Sequence, residues 1–416
     1  MNDRKSFIFS KSYPQKSCKI VCICNFGLYD WVQMKKYFSI FVFIFTFLLF
    51  TTQAEASYHF ANYKGAPPIH VSAGTSKVPA GLTPDEIKAV YNLPKSGGKG
   101  TIAVIDAYDD TYIEHDLGVF SSTFNLPACT VKNGCLEVHK MSSSIKTNSG
   151  WRGETSLDIE WIHAIAPNAK ILLVEATTPS GTNLINAVDY AASRSDVIAV
   201  SMSWGGAEFP EENSMDSHFT SKYGAVFFAS SGDDGAGASW PASSPNVVGV
   251  GGTTVNFSTN GNFKNETAWD GSGGGVSAYE KAPGYQTSYS IPKSGGMRAI
   301  PDVSYDADPS SGFSVYWSSS ATKGAWYVVG GTSAGAPQWA AIESLGLSVT
   351  NQKLYSDKAQ ANYSNYFRDI TSGSNGTCTY YSLRESIMIT LPDLAVRSQI
   401  YFKKPPPCRG RLGLRG

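Results

Sequence analysis

Three places in the chain carry side chains whose type and spacing could do chemistry. In GETSLDIEWIHAIAP, Glu154 and Asp158 stand four residues apart. On a helix they stack on one face, and Trp161 and Ile165 continue the same stripe. Two carboxylates at that spacing repel, and a solvated helix pairs Glu with Lys there instead. Packed near a core they would share a proton and raise one pKa, which makes a general base suited to acid conditions. The other reading is a solvated acidic face, with Glu160 outside the stripe. The second place is Ser333 in GGTSAGAPQWAAIESLGL, residues 330–347. Small residues around it permit close backbone approach, and a serine at a helix N-terminus sits where free N–H groups and the dipole favour developing negative charge. A plain N-cap serine is the competing reading. The third is Asp233 in SSGDDGAG, just after the apolar run AVFFAS. A carboxylic acid kept protonated at a strand's carboxyl end can donate a hydrogen bond to an oxyanion; a turn or a cation loop is the alternative. A serine–histidine–aspartate triad lacks support, because none of His59, His70, His115, His139, His163 and His218 lies in a Gly-His-Gly-Thr-His setting.

The elements that must position these residues read as an open, mostly parallel α/β sheet with helices on both faces. TIAVID (101–106), AKILLVEA (169–176), VIAVSMSW (197–204) and AVFFAS (225–230) are short, nearly continuous apolar runs, the pattern of parallel strands buried on both faces. Helical stretches at 154–165, 182–194 and 213–222 lie between them. Functional residues are expected at the carboxyl ends of such strands. Thr83, Pro84 and Glu86 predict a helix start with a capping box. Residues 57–80 read as a linker, and 251–325 as loops and short antiparallel strands of the same domain. Cys129 and Cys135 flank a short loop and suit a disulfide in an oxidising compartment; free thiols are the alternative.

The chain has 416 residues, 42% hydrophobic and only 16% charged. Wholesale disorder and a coiled coil are both excluded. Lys and Arg balance Asp and Glu at 34 each, but residues 57–380 carry 20 basic and 29 acidic side chains, a net −9. An acidic core argues against nucleic acid as a partner. Met34-Lys35-Lys36, the apolar run 37–50 and the small-x-small site at Ala54–Ala56 read as a Sec-type signal peptide over 34–56. Residues 1–33 read as a non-native upstream extension; if they are native, an uncleaved membrane anchor is the alternative. Secretion or periplasmic export is expected.

In order and spacing, IDAYDD, ETSLD, SMSWGG, SSGDDG and GGTSAGAP resemble the sedolisins, the serine-carboxyl peptidases, across residues 81–380. The resemblance implies a subtilisin-like single catalytic domain. It implies Ser333 as nucleophile, Glu154 as base in place of histidine, Asp158 as its partner, and Asp233 where subtilisins place an oxyanion-hole asparagine. Asp106 and Trp204 fall where relatives extend the acid network and line the substrate cleft. The implied activity is endopeptidase action on proteins or peptides at acid pH, by a monomer. Only about 25 residues separate the signal from the domain, so the chain resembles members without a prodomain.

The resemblance also implies structural calcium, bound through Asp369 and Ile370 and a later G-x-D-x-x-T-G-x-G segment. That later segment is missing, and 381–416 read as an aberrant tail. The codons of Ile387–Thr390, read from their third base, permit Tyr-Asp-Tyr, and the following codons permit Thr-Gly-Leu-Gly-Ser-Pro. A frameshift between Cys378 and Ile387 is therefore expected, with impaired calcium binding. The alternative function is a catalytically impaired remnant that at most binds peptide.

Overall fold

The computed structural model describes residues 60–289, 291, 294–358 and 367–375. The expected extension (1–33), signal (34–56) and tail (381–416) lie outside the described residues. Strands and helices alternate through the first half: β1 (His70–Ser76), α1 (Pro84–Val90), β2 (Thr101–Ala107), α2 (Ile113–Thr123), β3 (Leu136–Lys140), α3 (Ser149–Ile165), β4 (Lys170–Ala176), α4 (Gly181–Ser193) and β5 (Val197–Met202). Then come β6 (Gly206–Ala207), β7 (Val226–Ser230), β8 (Ser239–Trp240), β9 (Val247–Phe257), β10 (Phe263–Ala268), β11 (Gly275–Lys281), α5 (Gly284–Tyr289), β12 (Met297–Ile300) and β13 (Val303–Asp306). The hairpin β14 (Phe313–Ser320) and β15 (Lys323–Gly330) leads into α6 (Gly335–Ser344) and α7 (Asn351–Lys358).

The central sheet has the order β10-β9-β7-β5-β2-β4-β3, with β13 beside β9. Its strands pair in parallel except for β10, which runs antiparallel on β9. The apolar runs become β2, longer by Ala107, and β4, β5 and β7, each trimmed at one end. Alternation along each strand divides two cores. Ile102 and Val104 of β2 join Ile171 and Leu173 of β4 on the face covered by α3 and α6. Ala103, Ile105, Leu172 and Val174 face the other way, against Leu184, Ile185 and Val188 of α4. Each such aliphatic side chain, fully buried, is worth about 1.5–3 kcal/mol. Asp106 follows the even-numbered residues of β2, so it points at α3.

Helix α3 starts at Ser149, ahead of the expected 154, because Asn148 Oδ1 accepts from the Gly150 and Trp151 N–H groups. The expected helix at 213–222 is a short 3-10 segment, Glu212–His218; Asn, Ser and Asp there compete for backbone hydrogen bonds. Thr83 forms the predicted capping box with Glu86. Cys129 and Cys135 form a disulfide with Cα atoms 5.0 Å apart.

The solvated reading of α3 fails. Every residue from Trp151 to Ile165 is buried, because the β14–β15 hairpin covers the side that the sheet leaves open. Trp161 Nε1 donates to Ser314 O at 3.1 Å, and the Tyr316 N–H donates to Glu160 Oε2 at 3.0 Å. Glu160 therefore satisfies the edge of β14 and is not a surface acid. His163 is a core histidine, with Nε2 2.7 Å from Pro127 O and Nδ1 buried without a hydrogen-bond partner. Residues 60–76, read as linker, hold β1, which pairs antiparallel with β15.

Candidate active site

Ser333 sits in a tight turn, Thr332–Ala334, between β15 and α6. The turn demands glycine at 331, where φ is +120° and a Cβ would lie 2.1 Å from Pro68 O and 2.6 Å from Asp233 Oδ2. Gly335 is pressed against Val250 and Tyr305. The N-cap reading of Ser333 does not hold, because its side chain makes no capping bond to the turn or to α6. Its Oγ is buried without a hydrogen-bond partner.

Glu154 and Asp158 of α3 lie beside it, both fully buried. Burial pushes both carboxyl groups well above their usual range. The charge of Asp106 adds to each, as does that of Asp233 for Glu154 and of Glu154 for Asp158. The Ser333 hydroxyl lies near enough to favour the ionised form of Glu154. It stops short of hydrogen-bond geometry, and neither Glu154 oxygen is bonded; a looseness of this kind is usual before substrate arrives. Asp106 closes the acidic group, its carboxyl pushed up to about 7 chiefly by burial. Groups this close titrate as a set that shares protons.

Asp233 follows the carboxyl end of β7. Its Oδ1 accepts from the Thr332 N–H and hydroxyl, both at 2.8 Å. Burial raises its pKa, opposed by His70 and Thr332. His70 Nε2 lies 3.1 Å from Oδ2, and that contact holds the imidazole above its ordinary pKa. Trp204 is fully buried, with Nε1 donating to Ile105 O at 3.0 Å.

Sequence reasoning missed two groups. Ser203 Oγ donates to Asp158 Oδ1 at 2.8 Å and lies 3.3 Å from Ser333 O. Its signal was available: Ser201 and Ser203 continue the alternation of β5 onto the face of α3. His70 was counted as a histidine but given no place. The metal residues fare differently. Ile370 is buried and Asp369 exposed. The Ser372 carbonyl accepts from the Ala268 N–H. Among the described residues, no three acidic, histidine or cysteine ligand atoms converge at Asp369. Among the described residues the acidic side chain here is that of Asp369, whereas calcium takes six to eight oxygens. Cys129, Cys135 and His163 do converge, but both thiols are spent in the disulfide.

Fold and site together define a subtilisin-like α/β domain whose serine faces carboxyl groups where a histidine would be expected. Residues 145–370 match the model of the subtilase family, and the chain belongs to that family. Its relatives include kumamolisin of Bacillus sp. (strain MN-32), 30% identical over 86% of this chain and 66% of that one. Sedolisin of Pseudomonas sp. (strain 101) is 27% identical over 74% of this chain and 57% of its own. The chain thus spans two thirds or less of these relatives. Among solved structures, Pseudomonas sedolisin, a serine-carboxyl proteinase complexed with two molecules of pseudo-iodotyrostatin, superposes with a TM-score of 0.61 at 26% identity. That match covers 73% of this chain and 92% of the other.

Proposed function

We propose that the chain is an exported serine-carboxyl endopeptidase that hydrolyses proteins or peptides at acid pH, as a monomer. The observation that carries this reading is the burial of Ser333 beside the Glu154–Asp158 pair, with Asp233 against the same turn. Ser333 Oγ attacks the peptide carbonyl, Glu154 accepts its proton, and Asp158 shares and tunes that proton. Asp233, when protonated, and the Ser333 N–H donate to the tetrahedral oxyanion. Collapse of the intermediate breaks the C–N bond as Glu154 passes its proton to the leaving amine. Water then attacks the acyl-enzyme, Glu154 takes the water's proton, and Ser333 Oγ regains it as the acid product leaves. Export rests on the signal segment 34–56. Calcium would contribute little, since among the described residues Asp369 offers a single carboxylate. That shortfall also favours the second reading, an impaired remnant that only binds peptide.

The deciding experiment is a pH–rate profile on an unfolded protein substrate, with Ser333→Ala as blank. The proposal predicts an acidic maximum that vanishes in the blank. A maximum above neutrality, or activity surviving in Ser333→Ala, rules it out; binding of peptide without turnover selects the remnant.

A further inference from the structure

His163, on the last turn of α3, is fully buried and takes no part in the peptidase chemistry. Its Nε2 stands 2.7 Å from Pro127 O. Burial holds the ring below its ordinary pKa, opposed by that carbonyl and helped by the Lys88 charge, so the imidazole is neutral. A carbonyl oxygen only accepts, which puts the proton on Nε2 and leaves the lone pair on Nδ1. Nδ1 is buried with no hydrogen-bond partner. A ring nitrogen of His163 and the sulfurs of Cys129 and Cys135 all lie within 4.8 Å of one another. Around a tetrahedral zinc ion, bonds of about 2.3 Å to sulfur and 2.0 Å to nitrogen set such atoms about 3.5–3.8 Å apart.

The loop that carries the sulfurs is held by more than the bond between them. The Thr130 N–H donates to Asn133 Oδ1, and the Asn133 N–H to Thr130 Oγ1, both at 3.1 Å. Asn133 Oδ1 also accepts from the Cys135 N–H at 3.0 Å, and Asn133 Nδ2 donates to Ala128 O at 2.8 Å. On the other side the Ile171 N–H of β4 donates to Cys135 O at 2.7 Å. All these bonds survive reduction of the disulfide and keep both thiols beside His163. Cys129 is buried and Cys135 half-buried, so Cys135 is the sulfur that solvent reaches first.

We propose that Cys129, Cys135 and His163 form a redox-gated site for a thiophilic divalent cation of the zinc class, closed while the disulfide stands and opened by a dithiol. The dithiol attacks Cys135 Sγ and frees Cys129 as a thiol; its second thiol then displaces Cys135 and leaves as a disulfide. Two electrons and two protons thereby pass to the protein. The cation next displaces one proton from each thiol, takes two thiolate bonds and the Nδ1 lone pair, and keeps water in its fourth position. Thiolate and imidazole favour zinc over calcium or magnesium. Pro127 O, accepting from Nε2, fixes the ring and its tautomer as outer partners do at metal centres. The ion ties the last turn of the helix that carries Glu154 and Asp158 to the loop ahead of β3, a link that the disulfide, confined to its loop, does not make. None of this depends on the peptidase reading.

The test uses the full chain with Cys18→Ser, Cys22→Ser, Cys24→Ser, Cys378→Ser and Cys408→Ser, which leaves the two loop cysteines. It is reduced with dithiothreitol, freed of reagent without air, and titrated with Co2+ and then Zn2+. Thiolate-bound tetrahedral cobalt shows a sulfur-to-metal charge-transfer band in the near ultraviolet and ligand-field bands in the visible. The expected result is one Co2+ per reduced chain with both sets of bands, displacement by Zn2+, and neither set in the oxidised form of the same protein. His163→Gln keeps a donor for Pro127 O but has no Nδ1 lone pair. It should bind at least about tenfold more weakly, since even an outer-shell partner is worth roughly 10–100-fold; Cys129→Ser should lose as much. A reduced chain without the charge-transfer band, or variants that bind as tightly as the parent, would overturn the proposal. Circular dichroism is followed throughout: a fold lost on reduction also overturns it, because the site needs the loop and the helix to stand without the disulfide.

Discussion

Thr332 gives both its N–H and its hydroxyl to one oxygen of Asp233, Oδ1, at 2.8 Å each. A proton on Asp233 is therefore directed to Oδ2. Asp233→Ala removes the donor and should lower kcat by on the order of 10²–10³. Asp233→Asn supplies a donor that needs no proton. Its pH–rate profile should keep activity further into the alkaline range than the wild type does. If the alkaline limb does not move, Asp233 does not act by holding a proton.

Ser203 provides a second handle on the acid pair. Its hydroxyl favours the ionised form of Asp158. Without it, ionisation of the pair becomes harder, so Ser203→Ala should shift the acid limb of the profile to higher pH and lower kcat roughly tenfold, the size of a lost hydrogen bond to a charged group. KM should stay near the wild-type value. An unmoved acid limb with an altered KM would instead place Ser203 in substrate binding.

Stability should depend on pH in a direction set by the buried acids. Asp106, Asp110 and Glu175 are pushed up to about 7, mainly by burial, against about 3.9–4.3 when unfolded. The folded state therefore binds more protons, and its stability falls as pH rises. The stabilisation is complete below about pH 4 and is lost as pH climbs toward and through 7. For fully buried Asp106 alone the change is on the order of 4 kcal/mol. Scanning calorimetry of Ser333→Ala, which cannot digest itself, should show Tm falling from pH 4 to pH 8. A Tm that rises over that range contradicts these assignments.

Calcium should matter little to this chain. Among the described residues Asp369 brings one carboxylate, short of the six to eight oxygens calcium takes, so the expectation is binding too weak to add stability to the folded state. Melts with millimolar calcium and with chelator should coincide. A large calcium-dependent rise in Tm would show that residues 376–416 supply the missing ligands.

The acid pair was legible because its spacing is local: four residues on a helix fix Glu154 and Asp158 to one face whatever packs around them. The parallel strands were legible from their apolar runs, and so was the turn at Ser333 from its small residues. The depth of burial was not. It comes from the β14–β15 hairpin, which lies 150 or so residues further on and whose Tyr316 and Ser318 amides reach back to Glu160 and Asp116. For Ser203 the strand alternation marked the face, but its contact with Asp158, 45 residues back, is set by the packing of α3 on the sheet. His70 was hidden for a different reason: the segment around it, rich in Pro, Gly and Ser, carries the composition of a linker, and its order depends on edges supplied by Gly205 and β15.

The pairing of β1 with β15 has a consequence in time. Ser72 and Val328 meet although 256 residues separate them. A ribosome adding about 5–20 residues per second leaves the first strand waiting roughly 10–50 s for its partner. A waiting strand is a hazard if it is long and apolar. β1 reads HVSAGTS, with a single large aliphatic residue among small and polar ones, a composition that can stay in water without recruiting a neighbour. The edge that completes the nucleophile's turn is thus made from a segment able to outlast the synthesis of nearly everything between.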